Sequence, residues 1–307
     1  MVGALGFPSV HRNSWKGYNV KFSKWIVLAM AAILAFALIG CGAQDAADEP
    51  STGSEGETLS GSLTIEGSDT IVNLSQALAE DYMAANPEVM ITVKGGGSGA
   101  GIAALLNGTV DFANASRNVK DEEKEEATKL GVSPVENTIA LDGIAVIVNL
   151  DNPVKALTTE QIGQIYRGEI TNWSEVGGSN TPIVLLGRDT SSGTYEYFFE
   201  AVVGEDNQYS KEMRNLQSSQ AIVDEVANTA GAIGYVGMGY LDAKIHSLTV
   251  DGVEGSVENV KAGTYPLSRG LYMVSNGAPE GLGAAFLEWT MGAEGQAIVA
   301  DEGFVAL

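Results

Sequence analysis

Three short turns carry the residue types that could hold an anion. The first is Gly67-Ser68-Asp69-Thr70, ahead of Ile71; the second is the run Gly95–Gly101 (GGGSGAG), ahead of Ile102; the third is Arg188–Thr194 (RDTSSGT), ahead of Tyr195. A helix start leaves backbone N–H groups without intrahelical partners at the positive end of the helix dipole, which suits an oxyanion. Glycine lets the backbone approach closely because no Cβ intervenes. Arg188 adds a planar, permanently charged fork. Any one of these turns is also explained by ordinary helix capping. Three of them in one chain, one with an arginine, point to convergence on a small tetrahedral anion.

Other chemistries are poorly served. The spacing Gly95-x-Gly97-x-x-Ala100 lacks the acid that a dinucleotide loop places about 20 residues on. No Lys follows the glycines as in a nucleotide phosphate loop. Ser98 is not framed as Gly-x-Ser-x-Gly, because residue 100 is Ala. With one Cys and two His, a disulfide scaffold is impossible and a Cys/His zinc site is close to excluded. No catalytic residue, metal or cofactor is expected, and the chain reads as a binding protein rather than an enzyme. The main competing class, a secreted phosphatase or serine hydrolase, would have to work with His246 alone beyond the leader.

The elements around these turns alternate between strand and helix. Strands are expected at Leu63–Glu66, Glu88–Lys94, Val110–Ala113, Ile183–Leu186, Ala232–Val236 and within 264–275. The β-rich run Ile139–Asn149 is read as broken by Asp142-Gly143. Helices are expected at Ile71–Asn86, from Gly101 to Asn107, at Tyr195–Val203, near Gln220–Ala227 and around Leu282–Met291, with a last helical turn near Gln296. The strongest helix signal is Thr158 with Gln161 three residues on, a capping box, closed by Gly168. Trp173 and the methionines read as packing, and His246 as a surface loop or strand residue. Such alternation predicts an α/β fold with mostly parallel sheets.

The length of 307 residues suits about two domains. Lobe 1 is placed at 61–143 and 264–307, and lobe 2 at 144–263. A formal charge of −22 argues against broad nucleic-acid binding, since phosphate backbones need cationic surface. At the N-terminus, Arg12, Lys16, Lys21 and Lys24 precede the apolar run Trp25–Gly40, which is short for a spanning helix of about 20 residues. The run ends Leu38-Ile39-Gly40-Cys41, the pattern of a bacterial lipobox. Residues 1–40 then read as a lipoprotein signal peptide, Cys41 as the lipidated (palmitate-type) anchor, and 41–60 as a flexible acidic tether. The alternative is an uncleaved signal anchor with a buried Cys41.

The three turns recur in order with Asp111-Phe112-Ala113-Asn114-Ala115-Ser116-Arg117, Asp142-Gly143, Ile170-Thr171-Asn172-Trp173, Ala232-Ile233-Gly234-Tyr235 and Tyr265-Pro266-Leu267-Ser268-Arg269. Over roughly residues 61–307 this set resembles the phosphate-binding lipoprotein (PstS type) of the bacterial phosphate-specific ABC importer. The resemblance implies a two-lobed periplasmic-binding-protein fold of the second topological type, with the ligand in the interlobe cleft. It implies inorganic phosphate and an ABC permease as partners, a monomeric ligand-binding domain, and a lipid-anchored position at the extracytoplasmic (periplasmic or outer-surface) side of the cell membrane.

Carried over by position, Thr70, the Ile71 N–H and Ser98 would bind from one lobe, and Arg188, Ser192, Gly193 and Thr194 from the other. Some relatives place an Asp where this chain has Arg117, and that Asp accepts the phosphate proton. Asp142 is the expected replacement acceptor, with Asp69 and Asp189 as alternatives; Asp142 could instead simply form a turn with Gly143. Arg117 is expected either at the anion or on the surface near Asp121, Glu122 and Glu123. The other functional readings are a binding protein for sulfate, molybdate or tungstate, and a phosphate sensor or surface module of the same fold.

Overall fold

The structure, a computed structural model, describes residues 59–307. The signal segment, Cys41 and the tether up to residue 58 lie outside the described residues. The chain begins with β1 (Gly61–Gly67), α1 (Val72–Ala85), β2 (Val89–Lys94), α2 (Ser98–Leu106), β3 (Phe112–Ala115) and α3 (Asp121–Leu130). The long strand β4 (Pro134–Asn149) follows, then β5 (Ala156–Leu157), α4 (Thr159–Arg167), β6 (Val184–Arg188) and α5 (Gly193–Phe198). Next come β7 (Arg214–Leu216), α6 (Ser219–Asn228), β8 (Ala232–Gly237), β9 (Ile245–Ser247), β10 (Thr249–Val250) and α7 (Val257–Lys261). The last elements are β11 (Ser268–Asn276), α8 (Gly281–Met291) and α9 (Ala293–Asp301).

Strand order across the main sheet is β2-β1-β3-β11-β4-β8-β6-β7, with β9 also on β4. The two wings are parallel, β1 with β2 and β3 on one side, β6 with β7 and β8 on the other. Between them β11 and β4 run antiparallel to each other and to their outer neighbours. β4 pairs with β11 from Pro134 to Gly143 and with β8 from Ile144 to Val148, so one strand serves both halves. Crossover helices cover the parallel wings, as the βαβ connection requires. One core gathers Leu63, Ile65, Leu74, Leu78, Phe112, Met273 and Phe286. The other gathers Ile144, Val146, Ile162, Ile165, Tyr166, Trp173, Phe198 and Tyr235. Trp173 is fully packed and its indole N–H donates to Gly231 O at 2.8 Å.

Expectation and structure differ at three places. β4 is not broken at Asp142-Gly143: the pair lies within the strand, with Asp142 opposite Arg269 and Gly143 opposite Ser268 on β11. Glycine is there for room, since a Cβ on Gly143 would lie 2.7 Å from Met238 Sδ and 2.9 Å from Val260 Cγ2. α2 begins at Ser98, not Gly101, so the glycine run supplies the helix's first turn as well as its approach. The final turn expected near Gln296 is a full helix, α9.

The capping box at α4 is formed on both sides. Gln161 N–H donates to Thr158 Oγ1 at 3.1 Å, Thr158 N–H donates to Gln161 Oε1 at 3.0 Å, and Gly168 closes the helix with φ of 80°. Thr158 is exposed, so its replacement removes the cap without opening a cavity. Thr158→Ala is expected to lower unfolding free energy by about 1 kcal/mol, read as a lower urea midpoint at unchanged slope.

Candidate anion-binding site

The three turns meet. Thr70 and Thr194, 124 residues apart, have hydroxyl oxygens 2.6 Å from each other and are both buried. Gly99 N–H donates to Ser191 O at 3.1 Å, and Ser191 Oγ donates to Gly96 O at 3.1 Å, which joins the second turn to the third. Ser68 Oγ donates to Ser116 Oγ at 2.9 Å, and Ser116 N–H donates to Ser98 Oγ at 3.1 Å. The result is a buried patch of hydroxyls contributed by β1, α2 and β3 on one side and by the β6–α5 turn on the other.

Each member is placed by its element. Ser98 opens α2, and Ile71 lies in the short turn leading into α1, its side chain packed in the core with Leu74 and Leu78. Ser192 caps α5, its Oγ accepting from Thr194 N–H at 3.2 Å and Tyr195 N–H at 3.3 Å, and its O–H proton remains to donate. Gly193 follows because nothing larger fits: a Cβ there would overlap Ser98 Oγ and lie 2.8 Å from Ser116 Oγ. Behind α5, the Phe198 and Tyr235 rings stack with centroids 3.9 Å apart, and Tyr235 Oη accepts from Arg188 N–H at 3.3 Å.

Arg188 ends β6 with 1% of its surface exposed. Its Nη1 donates to Ser219 Oγ at 2.8 Å and its Nη2 to Gln217 O at 2.9 Å. Its Nε has no hydrogen-bond partner among the described residues. Burial draws the guanidinium below the ordinary arginine value, and the carboxylates of Asp69 and Asp189 oppose that shift. A buried cation with an unpaired donor is costly unless something negative meets it.

The acid of the site is Asp142, wholly buried. Its Oδ2 accepts from Arg269 Nη2 at 2.8 Å and Nε at 3.0 Å, and its Oδ1 accepts from Met238 N–H at 3.0 Å. A Cβ on Gly237 would lie 2.8 Å from Asp142 Oδ2 and 3.0 Å from Thr70 Cγ2, so the carboxylate and the Thr70 methyl flank the same glycine. Burial pushes the Asp142 carboxyl above the usual aspartate value, while Arg269 and the Met238 and Gly143 N–H groups pull it back. The other two acids are engaged elsewhere. Asp189 Oδ1 accepts from its neighbour Ser191, and Asp69 Oδ2 accepts from Ser219 N–H.

Arg117 is buried with its Nη2 next to Gly99 of the second turn, and its bonds run to the start of α3. Its guanidinium grips Glu123 with two bonds, at 2.7 and 2.8 Å, and Asn118 O at 2.8 Å, just ahead of α3. Arg269 is the arginine that sequence reasoning passed over. It fixes Asp142 and, through Nη1, Ser116 O at 3.0 Å. Ser116 and Arg269 both lie within the quoted motifs, but nothing in the order of residues distinguishes an arginine facing a strand partner from one facing solvent.

A two-half α/β fold with buried hydroxyls, an unpaired arginine donor and one buried acid where the halves meet defines an extracytoplasmic-type solute-binding protein. A family model of the PBP superfamily domain matches residues 52–294. The phosphate-binding protein PstS of Bacillus subtilis is 34% identical over 283 residues, 91% of this chain and 92% of the relative. A substrate-binding protein assigned to a phosphate ABC transporter of Clostridium perfringens, solved with bound phosphate, is 36% identical with a TM-score of 0.75. The match covers 80% of this chain and all of that one, 100%. An ABC-type phosphate transport receptor from Vibrio cholerae is 29% identical with a TM-score of 0.67, covering 80% and 100%. The chain belongs to the PBP superfamily and, within it, to the PstS family of phosphate-binding proteins.

Asp142 and Arg269 form a buried pair, and removing one member strands the other charge. Arg269→Met is expected to cost about 3–5 kcal/mol of stability, with much of it recovered in the Asp142→Asn/Arg269→Met double variant. In the single variant the folded carboxyl titrates still higher than in the parent. Above the unfolded aspartate pKa of about 3.9 the native state holds a proton that the unfolded chain has lost, so stability falls as pH rises through that window. Denaturant midpoints between pH 4 and 8 check both statements.

Proposed function

We propose that this chain captures inorganic phosphate between its two halves and delivers it to the membrane permease of an ABC importer, without catalysis. The observation that carries this reading is the meeting of Thr70, Ser98 and Thr194 hydroxyls with buried Arg188 and buried Asp142. Donors outnumber acceptors in this set, as an oxyanion needs, and the single acceptor suits an anion that keeps a hydroxyl. The family relationship, and a relative solved with bound phosphate, support the same ligand.

The role of each group follows from its free capacity. The Arg188 Nε donates to one phosphate oxygen, and Thr70, Ser98, Ser192 and Thr194 donate to the others, with N–H groups of Ile71 and Gly193 closing the shell. Asp142 has about four acceptor positions, of which Arg269 fills two on Oδ2 and Met238 one on Oδ1. The remaining position accepts the P–OH of phosphate. Sulfate lacks that proton near neutral pH and would face the carboxylate with lone pairs only. A site built around a hydrogen-bonded hydroxyl rejects an analogue lacking it. The halves divide where β4 leaves β11 for β8, at 143/144, and again at the start of β11, after Leu267 rather than at 263/264, since Tyr265 and Leu267 pack in the second core; they close over the ligand and present the closed form to the permease.

Cys41 would carry the lipid, and the acidic segment after it would let the domain, working as a monomer, reach the permease from the outer face of the membrane. Among the described residues no helix is long and apolar enough to cross a membrane.

Calorimetry on protein stripped of ligand by unfolding and refolding tests the ligand: phosphate binds and sulfate and molybdate do not. Equal binding of sulfate would replace phosphate by a broader oxyanion class. Asp142→Asn is expected to shrink the phosphate-to-sulfate preference on the order of 10–100-fold, the scale of leaving one buried polar group mispaired. An unchanged preference would remove Asp142 from the site. Cys41→Ser is expected to move the protein from the membrane pellet to the soluble fraction in the native host.

A further inference from the structure

Asp69 lies in the first turn, on the half built from β1–β3, yet its contacts are on the other half. Its Oδ2 accepts from Ser219 N–H, the first amide of α6, at 2.7 Å, and stands 3.5 Å from Arg188 Nη2. Its backbone carbonyl accepts from Tyr240 Oη at 2.8 Å. The carboxylate therefore takes one of the amides that a helix start leaves unpartnered and sits at the favourable end of the helix dipole. It also flanks Arg188, the buried arginine whose Nε is unpaired among the described residues. We propose, resting on the phosphate reading above, that Asp69 is a positioning residue: a latch that fastens the two halves when they meet and holds Arg188 with its Nε turned toward the anion.

Three observations favour this assignment over a role as proton acceptor or as a bystander. Asp69 spends its Oδ2 on Ser219 and Arg188, whereas Asp142 Oδ1 accepts one bond, from Met238 N–H. Arg188 is held by Ser219 through Nη1 and Gln217 through Nη2, so Asp69, Ser219 and Arg188 form one connected unit spanning both halves. The other ion pair across the cleft, Lys120 with Glu196 at 2.5 Å, has side chains 34% and 22% exposed. Water and salt screen a pair at that exposure more than the Arg188–Asp69 pair, whose side chains are 1% and 18% exposed.

A latch acts after encounter, so its loss appears in escape rather than capture. Asp69→Ala is expected to raise the phosphate dissociation rate at least tenfold with the association rate within about twofold. Asp69→Asn keeps an acceptor for Ser219 but loses the charge at Arg188, and should fall between. Stopped-flow rates and calorimetry give these values, with far-UV circular dichroism and thermal melting showing that each variant is folded. Scattering in the absence of phosphate should show a larger radius of gyration for Asp69→Ala than for the parent. If the parent fails to bind phosphate, the ligand assignment fails, and the scattering comparison alone decides the latch. A parent that binds while Asp69→Ala matches it in dissociation rate and radius of gyration overturns the latch. A loss carried by association would also overturn it, because Asp69 would then act on the open protein.

Discussion

A negative charge with no exposure to water, Asp142, has to be neutralised inside the protein, and the main sheet is arranged so that Arg269 does it from the adjacent strand. The two residues are direct cross-strand partners on β4 and β11, which makes the ion pair a consequence of register: a one-residue slip would send both side chains to opposite faces. The same register places Arg269 Nη1 on Ser116 O and so ties the pair to the serine cluster under the anion position. Met238 N–H, just past the end of β8, completes the carboxylate's shell from the other half. Everything the site needs in the way of acceptor geometry depends on these two antiparallel strands lying side by side.

The site's electrostatics are then nearly self-contained. Two buried arginines have each been given a carboxylate, Arg269 with Asp142 and Arg188 with Asp69, so a chain of formal charge −22 holds a local environment that tolerates a further anion. On the proposed reading, what attracts the ligand is unpaired donor capacity more than net charge. Hydroxyls supply most of it, and they adapt because each can donate or accept. Arg117 illustrates the difference. It is close to the patch, but Glu123 and Asn118 take three of its five donors, and it ties the start of α3.

Features governed by neighbours in sequence were legible, and those governed by neighbours in space were not. The α4 capping box and its closing Gly168 could be read because all their determinants fall within a short stretch. The three polar turns could be found because each precedes its own helix. The Asp142-Gly143 pair misled, since Asp-Gly carries turn chemistry in isolation, while its meaning here comes from Met238, Val260 and Arg269, 96 to 127 residues away in the chain. Two arginines at comparable motif positions, Arg117 and Arg269, exchanged apparent importance for the same reason: partners decide what a charged side chain does, and partners are long-range.

The position of β11 in the sheet has a consequence for how the protein is made. β11 lies between β3 and β4 and hydrogen-bonds to both, yet it is synthesised after β5 through β10. On a growing chain the half built on β1–β3 therefore waits with an open edge, while the segment between β4 and β11 has its own core and can settle first. Order of synthesis and order of assembly are inverted in the N-terminal half, which leaves the edge of β3 unpaired until β11 arrives and makes arrival of the C-terminal segment the committing event.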